Sequence, residues 1–340
     1  MSETISTVKK ARVEYVDSMR GLCILMVSYF HSGISLFLAK YVSNICVHPF
    51  LFMAGYFYSR KLSFRENIIK KSRSTLAPYY FFGLVYYIIW LAAMAAPGKN
   101  IIAPLIAVLY MPTSSFPVES AIYFLPMMFF AIIIFCAIEK TVRSEPIRAI
   151  LVIAITLAGN LWYHCTAVRL PLSLDTSMSV LIYVYLGYHG RTILGFIDAQ
   201  LLKIKRRAVK IAIFLSVSLI NFILIDISPI PNIRNGEWGI IPLSHLNTVM
   251  TMILWVYFFR WFDSLSSMKS VNRALQFIGK NSMIFMCFNH IGLTIAQFIA
   301  YRLPLPMFGC KLIHYVLSIV VVIPVVFVFN KTKLHLIFGK

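Results

Sequence analysis

The sequence predicts an all-α protein, a single domain over residues 1–340 built as a polytopic bundle of about ten transmembrane helices. Hydrophobic residues make up 59% of the 340-residue chain and charged residues only 13%, whereas soluble domains are about half apolar and about a quarter charged. The apolar residues recur in windows of roughly 20 residues, the length that spans the hydrocarbon core. The basic residues lie between these windows, as they do where Lys and Arg hold loops on the cytoplasmic side.

Ten apolar windows qualify as spans or nearly do. In chain order they are 19–38, 42–59, 75–96, 120–138, 148–165, 174–190, 210–227, 243–261, 282–301 and 312–330. Basic residues precede the first window, as in a signal peptide. However, Asp17 and Arg20 lie at the N-terminal end of this window, and no small-x-small cleavage site follows it. The window is therefore predicted to be the first membrane helix. The apolar stretch 101–111 is shorter and flanked by prolines, which predicts a re-entrant or interfacial segment.

The charge distribution predicts the orientation. With a cytoplasmic N-terminus and alternating helices, 26 of the 32 basic residues fall on the cytoplasmic side, which places both termini inside. The six outer basic residues are Lys40, Lys99, Arg169, Arg234, Arg302 and Lys311. The net charge of +20 does not indicate nucleic-acid binding, because that function needs basic residues gathered on a water-facing surface. The largest outer loops, 97–119 and 228–242, carry Pro and Gly and can fold over an outer opening.

The six cysteines form no CxxC pair, and most lie inside apolar runs. They are predicted to be small packing residues, and the alternative is a disulfide bridge between Cys165 and Cys310, both near the outer face. The spacing of histidines and cysteines predicts no metal site.

The first helix carries the most informative set of ionisable residues, Asp17, Arg20 and His31. Ionisable groups within spans are costly and tend to be functional. Eleven residues make about three helical turns, so Arg20 and His31 share one face and lie roughly 16 Å apart along the axis. Asp17 is one turn before Arg20 on the same stripe. An imidazole near mid-membrane suits a general base, and the alternative is a histidine that packs and hydrogen-bonds between helices.

Two further groups are candidates for binding. Lys70, Lys71 and Arg73 follow the second window, and they either set topology or clamp a phosphate, since Lys70 and Arg73 are one turn apart on a helix. The ninth window opens with Asn281 and Ser282, and His290 follows about half-way across. Several residues near the outer ends of helices are either acceptor-facing or ordinary solvated and packing residues: Glu119, Asp175, His48, His164 and His245.

These residues resemble the motifs of a known family. The run Tyr15-Val16-Asp17-Ser18-Met19-Arg20-Gly21-Leu22 followed by His31 resembles the opening of the acyltransferase-3 family of membrane acyltransferases. The likeness continues in order through Pro49-Phe50-Leu51-Phe52-Met53-Ala54-Gly55-Tyr56, Lys70-Lys71-Ser72-Arg73, Leu76-Ala77-Pro78-Tyr79, Phe124-Leu125-Pro126 and Gly279-Lys280-Asn281-Ser282 with His290. It covers nearly the whole chain. Ala54 stands where Ser is common, and Tyr123 stands where Trp is common.

The resemblance implies an O-acetyltransferase of the bacterial inner membrane. Acyl-CoA, usually acetyl-CoA, would be a cytoplasmic co-substrate rather than a tightly bound cofactor. The acceptor would be a glycan or lipid-linked glycan: O-antigen, capsule, exopolysaccharide or enterobacterial common antigen. Direct transfer and a covalent acyl intermediate both remain open.

The roles implied for individual residues follow the family's motifs. His31 would be the base, with Arg20 and Asp17 beside it. Lys70, Lys71, Arg73 and Arg20 would hold the donor. The acceptor side is assigned to His290, Asn281 and Ser282, and Glu119 is added to it because of its position near the outer end of a helix. Two rival classes are a transporter or flippase for a glycan or lipid-linked precursor and a non-catalytic membrane scaffold.

Overall fold

The computed structural model describes residues 13–43, 46–94, 100–110, 121–229 and 231–339, and these residues contain no β-strand. The α-helices, in chain order, are α1 (Glu14–Ser32), α2 (Leu36–Ser43), α3 (His48–Tyr56), α4 (Phe64–Lys71), α5 (Ala77–Met94), α6 (Ile102–Leu109), α7 (Phe124–Thr141), α8 (Glu145–Thr166), α9 (Leu174–Ser179), α10 (Leu181–Tyr188), α11 (Gly190–Lys203), α12 (Arg207–Ile227), α13 (Ile241–Asp263), α14 (Lys269–Lys280), α15 (Ser282–Ala300), α16 (Met307–Val320) and α17 (Val322–Lys331). The all-α fold class is confirmed.

Seven helical segments of the described chain are long and apolar enough to cross a membrane, fewer than the ten predicted. They are Phe64–Ala93, Ala121–Thr141, Glu145–Thr166, Arg207–Ile227, Ile241–Asp263, Ser282–Ala300 and Met307–Lys331. The difference comes from three predicted windows, 19–38, 42–59 and 174–190. The helix of the first, α1, is long enough but carries Asp17, Arg20 and His31, whereas α3 has only nine residues and the third window divides into α9 and α10.

Two of these three windows, 42–59 and 174–190, are apolar because their helices are enclosed by protein. Leu51 in α3 and Leu181 in α10 are completely buried inside the bundle. Hydropathy records only that a side chain avoids water, and it does not distinguish lipid from protein as the surroundings. The bundle is therefore a set of long apolar helices around shorter, protein-enclosed ones.

Contacts between loops agree with the predicted alternation of sides. The Lys140 ammonium donates to the carbonyl of Arg60 at 2.8 Å, and both residues are predicted to be cytoplasmic. The Arg169 guanidinium donates to the carbonyl of Arg234 at 2.6 Å, and both are predicted to be outside. All six cysteines are free thiols, so the alternative of a disulfide bridge is wrong. Cys23, Cys136, Cys287 and Cys310 are buried, as predicted for packing residues, whereas Cys165 is exposed.

Glycines bring two helix pairs into backbone contact. A Cβ on Gly21 of α1 would lie 2.0 Å from the carbonyl oxygen of Leu275 in α14, and one on Gly279 would lie 1.8 Å from an α1 carbonyl oxygen. The pair α3 and α10 has the same arrangement, since a Cβ on Gly55 or Gly187 would lie 1.9 or 2.0 Å from a carbonyl oxygen of the other helix. Only residues without a side chain allow such close crossings.

Side-chain hydrogen bonds add to the packing of α1. The Ser18 hydroxyl donates to the Asn272 side chain of α14, and the Asn272 amide in turn donates to Asp263. Farther along α1, the Asn289 amide of α15 donates to the Ser28 hydroxyl at 2.6 Å. Buried hydrogen bonds of this kind fix the position of one helix against another. The helix that carries the ionisable residues is thus held by α14 at its start and by α15 near its end.

A π-helical turn, Ser72–Leu76, joins α4 to α5, so the basic residues predicted to follow the second helix lie on a continuous helical segment. Pro78 has no N–H, and the carbonyl of Ser74 four residues earlier therefore lacks its α-helical donor. The chain instead makes a wider turn, in which the Ala77 N–H donates to the carbonyl of Ser72. The Thr75 hydroxyl donates to the carbonyl of Lys71 at 2.7 Å. Single π turns of this kind are frequent at functional sites.

The C-terminal segment packs over this turn. A 3₁₀-helix, Lys333–Phe338, follows α17 and ends at Gly339, whose φ is 67°. A Cβ on Gly339 would lie 3.2 Å from the carbonyl carbon and oxygen of Arg73. The Phe338 side chain is buried and stacks on Phe82 of α5, with ring centroids 6.0 Å apart. This C-terminal segment, Lys333–Gly339, which we call the tail, therefore supports the π turn from the predicted cytoplasmic side.

Candidate active site

The site begins with α1, an unbroken helix that carries Asp17, Arg20 and His31. Asp17 is buried where α1 crosses α14, and the Nε atom of Arg20 is also buried. His31 lies in the last turn of α1, before Gly33 ends the helix with a φ of 64°. A continuous helix keeps Arg20 and His31 on one face, roughly 16 Å apart along the axis. The predicted spacing of Arg20 and His31 is therefore realised, but His31 lies at the end of α1 rather than near the middle of its span.

His31 lines a cavity of about 520 Å³ on the predicted outer side. Its walls come from α1, the turn before α3, the start of the α7 segment, the outer loop before α13 and one residue of α15. The other lining residues are Val27, Phe30, Ser43, Cys46, Val47, Ala121, Tyr123, Phe124, Pro231, Asn232, Ile233, Arg234, Glu237 and Met286. A volume of this size is typical of a small-molecule site. Residues 231–234 and 237 of the predicted outer loop 228–242 line this cavity.

Residues 231–239, which we call the strap, form the part of this loop that borders the cavity. The Asn232 N–H donates to the carbonyl of Glu237 at 2.8 Å, and the Glu237 N–H donates back at 3.0 Å. Gly236, with a φ of 76°, closes the turn between them. Ile233 and Trp238 are buried on either side of the turn, at 5% and 1% exposure. The strap is a tight turn anchored at both ends.

Arg169 ties the strap to α9. Its Nη1 donates to the carbonyl of Arg234 at 2.6 Å, its Nε to Asp175 Oδ2 at 2.5 Å and its Nη2 to Thr176 Oγ1 at 2.8 Å. Both members of the Arg169–Asp175 ion pair are at least nine-tenths buried. A guanidinium that is shared between a carboxylate and a main-chain carbonyl fixes both in place. Asp175, a candidate for orienting an acceptor, is engaged in this structural contact.

A second buried group supports the strap from beneath. The Trp238 ring stacks on His245, with centroids 5.3 Å apart. The two ring nitrogens of His245 hydrogen-bond to Tyr183 at 2.7 Å and to Asn160 at 2.8 Å. His48 is buried with its ring 4.9 Å from that of Tyr183. His48 and His245 thus lie in the packing beneath the strap, and neither lines the His31 cavity.

The predicted cytoplasmic end of the site is a cluster of basic residues. Lys70 and Lys71 end α4, and Arg73 lies in the π turn. Lys71 is half-buried and interacts electrostatically with the positive charges of both Lys70 and Arg20. Within the described ranges, no carboxylate forms an ion pair with Lys70, Lys71 or Arg73. Like charges gathered without a counter-charge create a positive potential that attracts polyanions.

The basic cluster and the His31 cavity are separate in this structure. Lys70, Lys71 and Arg73 do not line the cavity. Between its ends, α1 presents Cys23 and Ile24, both buried at 0% and 1% exposure. The enzyme prediction requires a path from the basic cluster to His31 as well as an outer opening, and the cavity supplies the outer part.

Comparison with known proteins identifies the family. The sequence model of the acyltransferase-3 family, described as an acyltransferase domain, matches residues 13–331. The chain belongs to this family. Neither the curated proteins nor the solved structures gave a match. Family membership and the helical bundle together make the protein a multi-pass membrane acyltransferase.

The motif residues assigned to the acceptor side, Asn281, Ser282 and His290, do not line the His31 cavity. Asn281 and Ser282 stand at the junction of α14 and α15, where Asn281 accepts a hydrogen bond from Asn330 of α17 at 2.9 Å. His290 packs against Tyr86, with ring centroids 6.5 Å apart. None of these three residues lines the cavity, although Met286, one turn before His290, does. Glu119 lies outside the described residues.

Sequence reasoning missed several residues that the structure places at the site. Ser28 and Asn289, which join α1 to α15 one turn before His31, were not candidates, and nothing in their spacing along the chain connects them. Arg234 was predicted only as an outer charge, and Asn232 and Glu237 only as members of a Pro- and Gly-containing loop. That composition was the available signal that this loop covers the cavity.

Proposed function

We propose that this acyltransferase moves an acetyl group from cytoplasmic acetyl-CoA to a hydroxyl group of a cell-surface glycan, in the inner membrane of a bacterium. The observation that supports the proposal best is the placement of α1. At its inner end Arg20 interacts with Lys71 of the basic cluster, and three turns further His31 lines an outer cavity. One helix thus carries residues of the proposed donor side and of the proposed acceptor side.

Lys70, Lys71, Arg73 and Arg20 are the residues that hold the donor in this proposal. The phosphate groups of acetyl-CoA are polyanionic, and Lys70, Lys71 and Arg73, which form no ion pair with a carboxylate of the described residues, suit such a ligand. Acetyl-CoA is a co-substrate here, and its long flexible arm lets the thioester lie away from the phosphates. The buried Asp17 orients the inner end of α1, so that Arg20 faces the cluster.

In the proposed reaction His31 is the general base. It removes the proton from an acceptor hydroxyl while the oxygen attacks the thioester carbonyl. The carbon–sulfur bond then breaks, and the CoA thiolate takes the proton from the imidazolium. The products are an O-acetyl ester and CoA, and neutral His31 is regenerated. Direct transfer needs the donor arm to pass the buried stretch of α1 at Cys23. A covalent acyl intermediate that carries the acetyl group across is the alternative.

The experiment replaces His31 with Ala in a deletion strain that expresses the variant, and measures base-labile acetate on the surface polysaccharide. We expect a loss of at least about 100-fold, the usual contribution of a general base. His164→Ala is the matched control, because His164 is an exposed histidine of α8 outside the cavity. Undiminished acetate in a well-expressed His31→Ala variant would remove His31 from the mechanism.

The donor site is tested with purified protein in nanodiscs. The double variant Lys70→Ala, Arg73→Ala should raise KM for acetyl-CoA and leave the thermal midpoint unchanged. Arg143→Ala, an exposed cytoplasmic-side arginine outside the cluster, should leave KM unchanged. An unchanged KM in the double variant would show that the cluster sets membrane topology and does not bind the donor. A transporter or flippase would yield no O-acetyl ester in this assay, which separates the rival class.

A further inference from the structure

The His31 cavity has two chemically different walls. The helices contribute mostly apolar and aromatic surface, including Phe30 and Phe124. The strap contributes an amide, a guanidinium and a carboxylate, from Asn232, Arg234 and Glu237. These three polar residues belong to a single turn of chain, and they share the cavity with the proposed base.

This combination matches the chemistry of a sugar ring. Each ring hydroxyl both donates and accepts hydrogen bonds, and planar amide, guanidinium and carboxylate groups offer paired donors or acceptors to such groups. The C–H faces of a sugar are apolar and pack well on aromatic rings. A polyphosphate matches this wall less well, because the Glu237 carboxylate would repel it.

Hydrogen bonds to main-chain atoms fix the backbone from which these side chains extend. Two reciprocal main-chain hydrogen bonds join Asn232 to Glu237, and the Arg169 guanidinium donates to the carbonyl of Arg234. A binding surface that is already ordered loses less conformational freedom when the ligand binds. The strap is therefore built as a recognition surface rather than as a flexible cover.

We propose that the strap is the acceptor-recognition element, in which Asn232, Arg234 and Glu237 hydrogen-bond to hydroxyl groups of a sugar and present a neighbouring hydroxyl to His31. The inference rests on the proposed function and adds to it the residues that select the acceptor. None of the three takes part in proton transfer, so their substitution should weaken acceptor binding and spare donor binding.

The test uses the full-length protein in nanodiscs with radiolabelled acetyl-CoA, and the host's surface polysaccharide stripped of acetate by mild base. Arg234→Gln and Glu237→Gln should each raise KM for the polysaccharide about tenfold, equivalent to about 1.4 kcal/mol of binding free energy. KM for acetyl-CoA should stay within about twofold of the wild-type value. The matched controls are Arg302→Gln and Asp226→Asn, exposed outer residues that do not line the cavity, and both should leave the two KM values unchanged.

Two results would overturn the inference. An unchanged KM for the polysaccharide in both strap variants would show that these residues do not bind the acceptor. A parallel rise of both KM values with a lower thermal midpoint would show that the strap is only structural. The proposed function fails separately: it is contradicted if His31→Ala stays active, or if the wild-type protein transfers no acetate to this polysaccharide.

Discussion

Replacing Gly279 with Ala tests the crossing of α1 and α14. The new Cβ would lie 1.8 Å from the carbonyl oxygen of Asp17, and real Cβ atoms essentially never come within 3.0 Å of such an atom. The helices must therefore move apart by at least about 1.2 Å. Adding a methyl group to a contact that is already packed costs free energy in this way. That displacement also stretches the hydrogen bond from Ser18 to Asn272, the side-chain contact between the same two helices.

The expected cost of Gly279→Ala is about 1–3 kcal/mol of unfolding free energy from overpacking. At about 2 °C per kcal/mol for a chain of this size, the thermal midpoint in detergent should fall by about 2–6 °C. Gly195→Ala is the matched control, because a Cβ on Gly195 in α11 meets no atom within 4 Å. Alanine is the better helix former, so this control should leave the midpoint unchanged or raise it slightly.

The same displacement should affect the donor side. Arg20 follows Asp17 by one turn, so separating the helices shifts Arg20 relative to Lys71, and KM for acetyl-CoA should rise in Gly279→Ala. Equal midpoints for Gly279→Ala and Gly195→Ala would refute the close crossing. A lower midpoint with an unaltered KM for acetyl-CoA would refute only the link between the crossing and the donor site.

Three further variants probe other contacts. Arg169→Ala leaves the buried Asp175 carboxylate without its ion-pair partner and should cost about 3–5 kcal/mol; a thermal midpoint equal to wild type would contradict this. Asn289→Ala removes the hydrogen bond to Ser28, for about 1 kcal/mol, and a double-mutant cycle with Ser28→Ala should show that the two losses are not additive. Phe338→Ala removes the aromatic contact over the π turn and should lower the free energy of unfolding by about 3–5 kcal/mol. It should also raise KM for acetyl-CoA, and an unchanged KM would show that the tail does not support the donor site.

The sequence predicted the all-helical membrane architecture because lipid exposure leaves a direct record in hydropathy. The orientation followed from loop charges, and the residues that pair across loops agree with it. The number of spans was overestimated because α3 and α10 are apolar for another reason, their enclosure within protein. Hydropathy is the same for a leucine against lipid and for Leu51 or Leu181 inside the bundle.

Only part of the candidate site could be predicted. The spacing of Arg20 and His31 is local, because a single helix fixes it, and it can be calculated from the chain alone. The neighbours of His31 are not local: Asn232 and Glu237 lie some two hundred residues away along the chain. Their proximity depends on the anchoring of the strap by Arg169 and Trp238, which no periodicity in the sequence records.

The π turn has a consequence for how this region tolerates genetic change. A π turn holds one residue more than an α turn, so deleting one residue from Ser72–Leu76 would close the wide turn and keep the flanking residues in place. Tyr79 would keep its hydrogen bond to the carbonyl of Val108, and Phe82 would keep its stack with Phe338. A deletion within a flanking α-helix would instead rotate everything downstream by about 100°. Natural variants of this enzyme are therefore expected to lose a residue from this turn more readily than from α4 or α5.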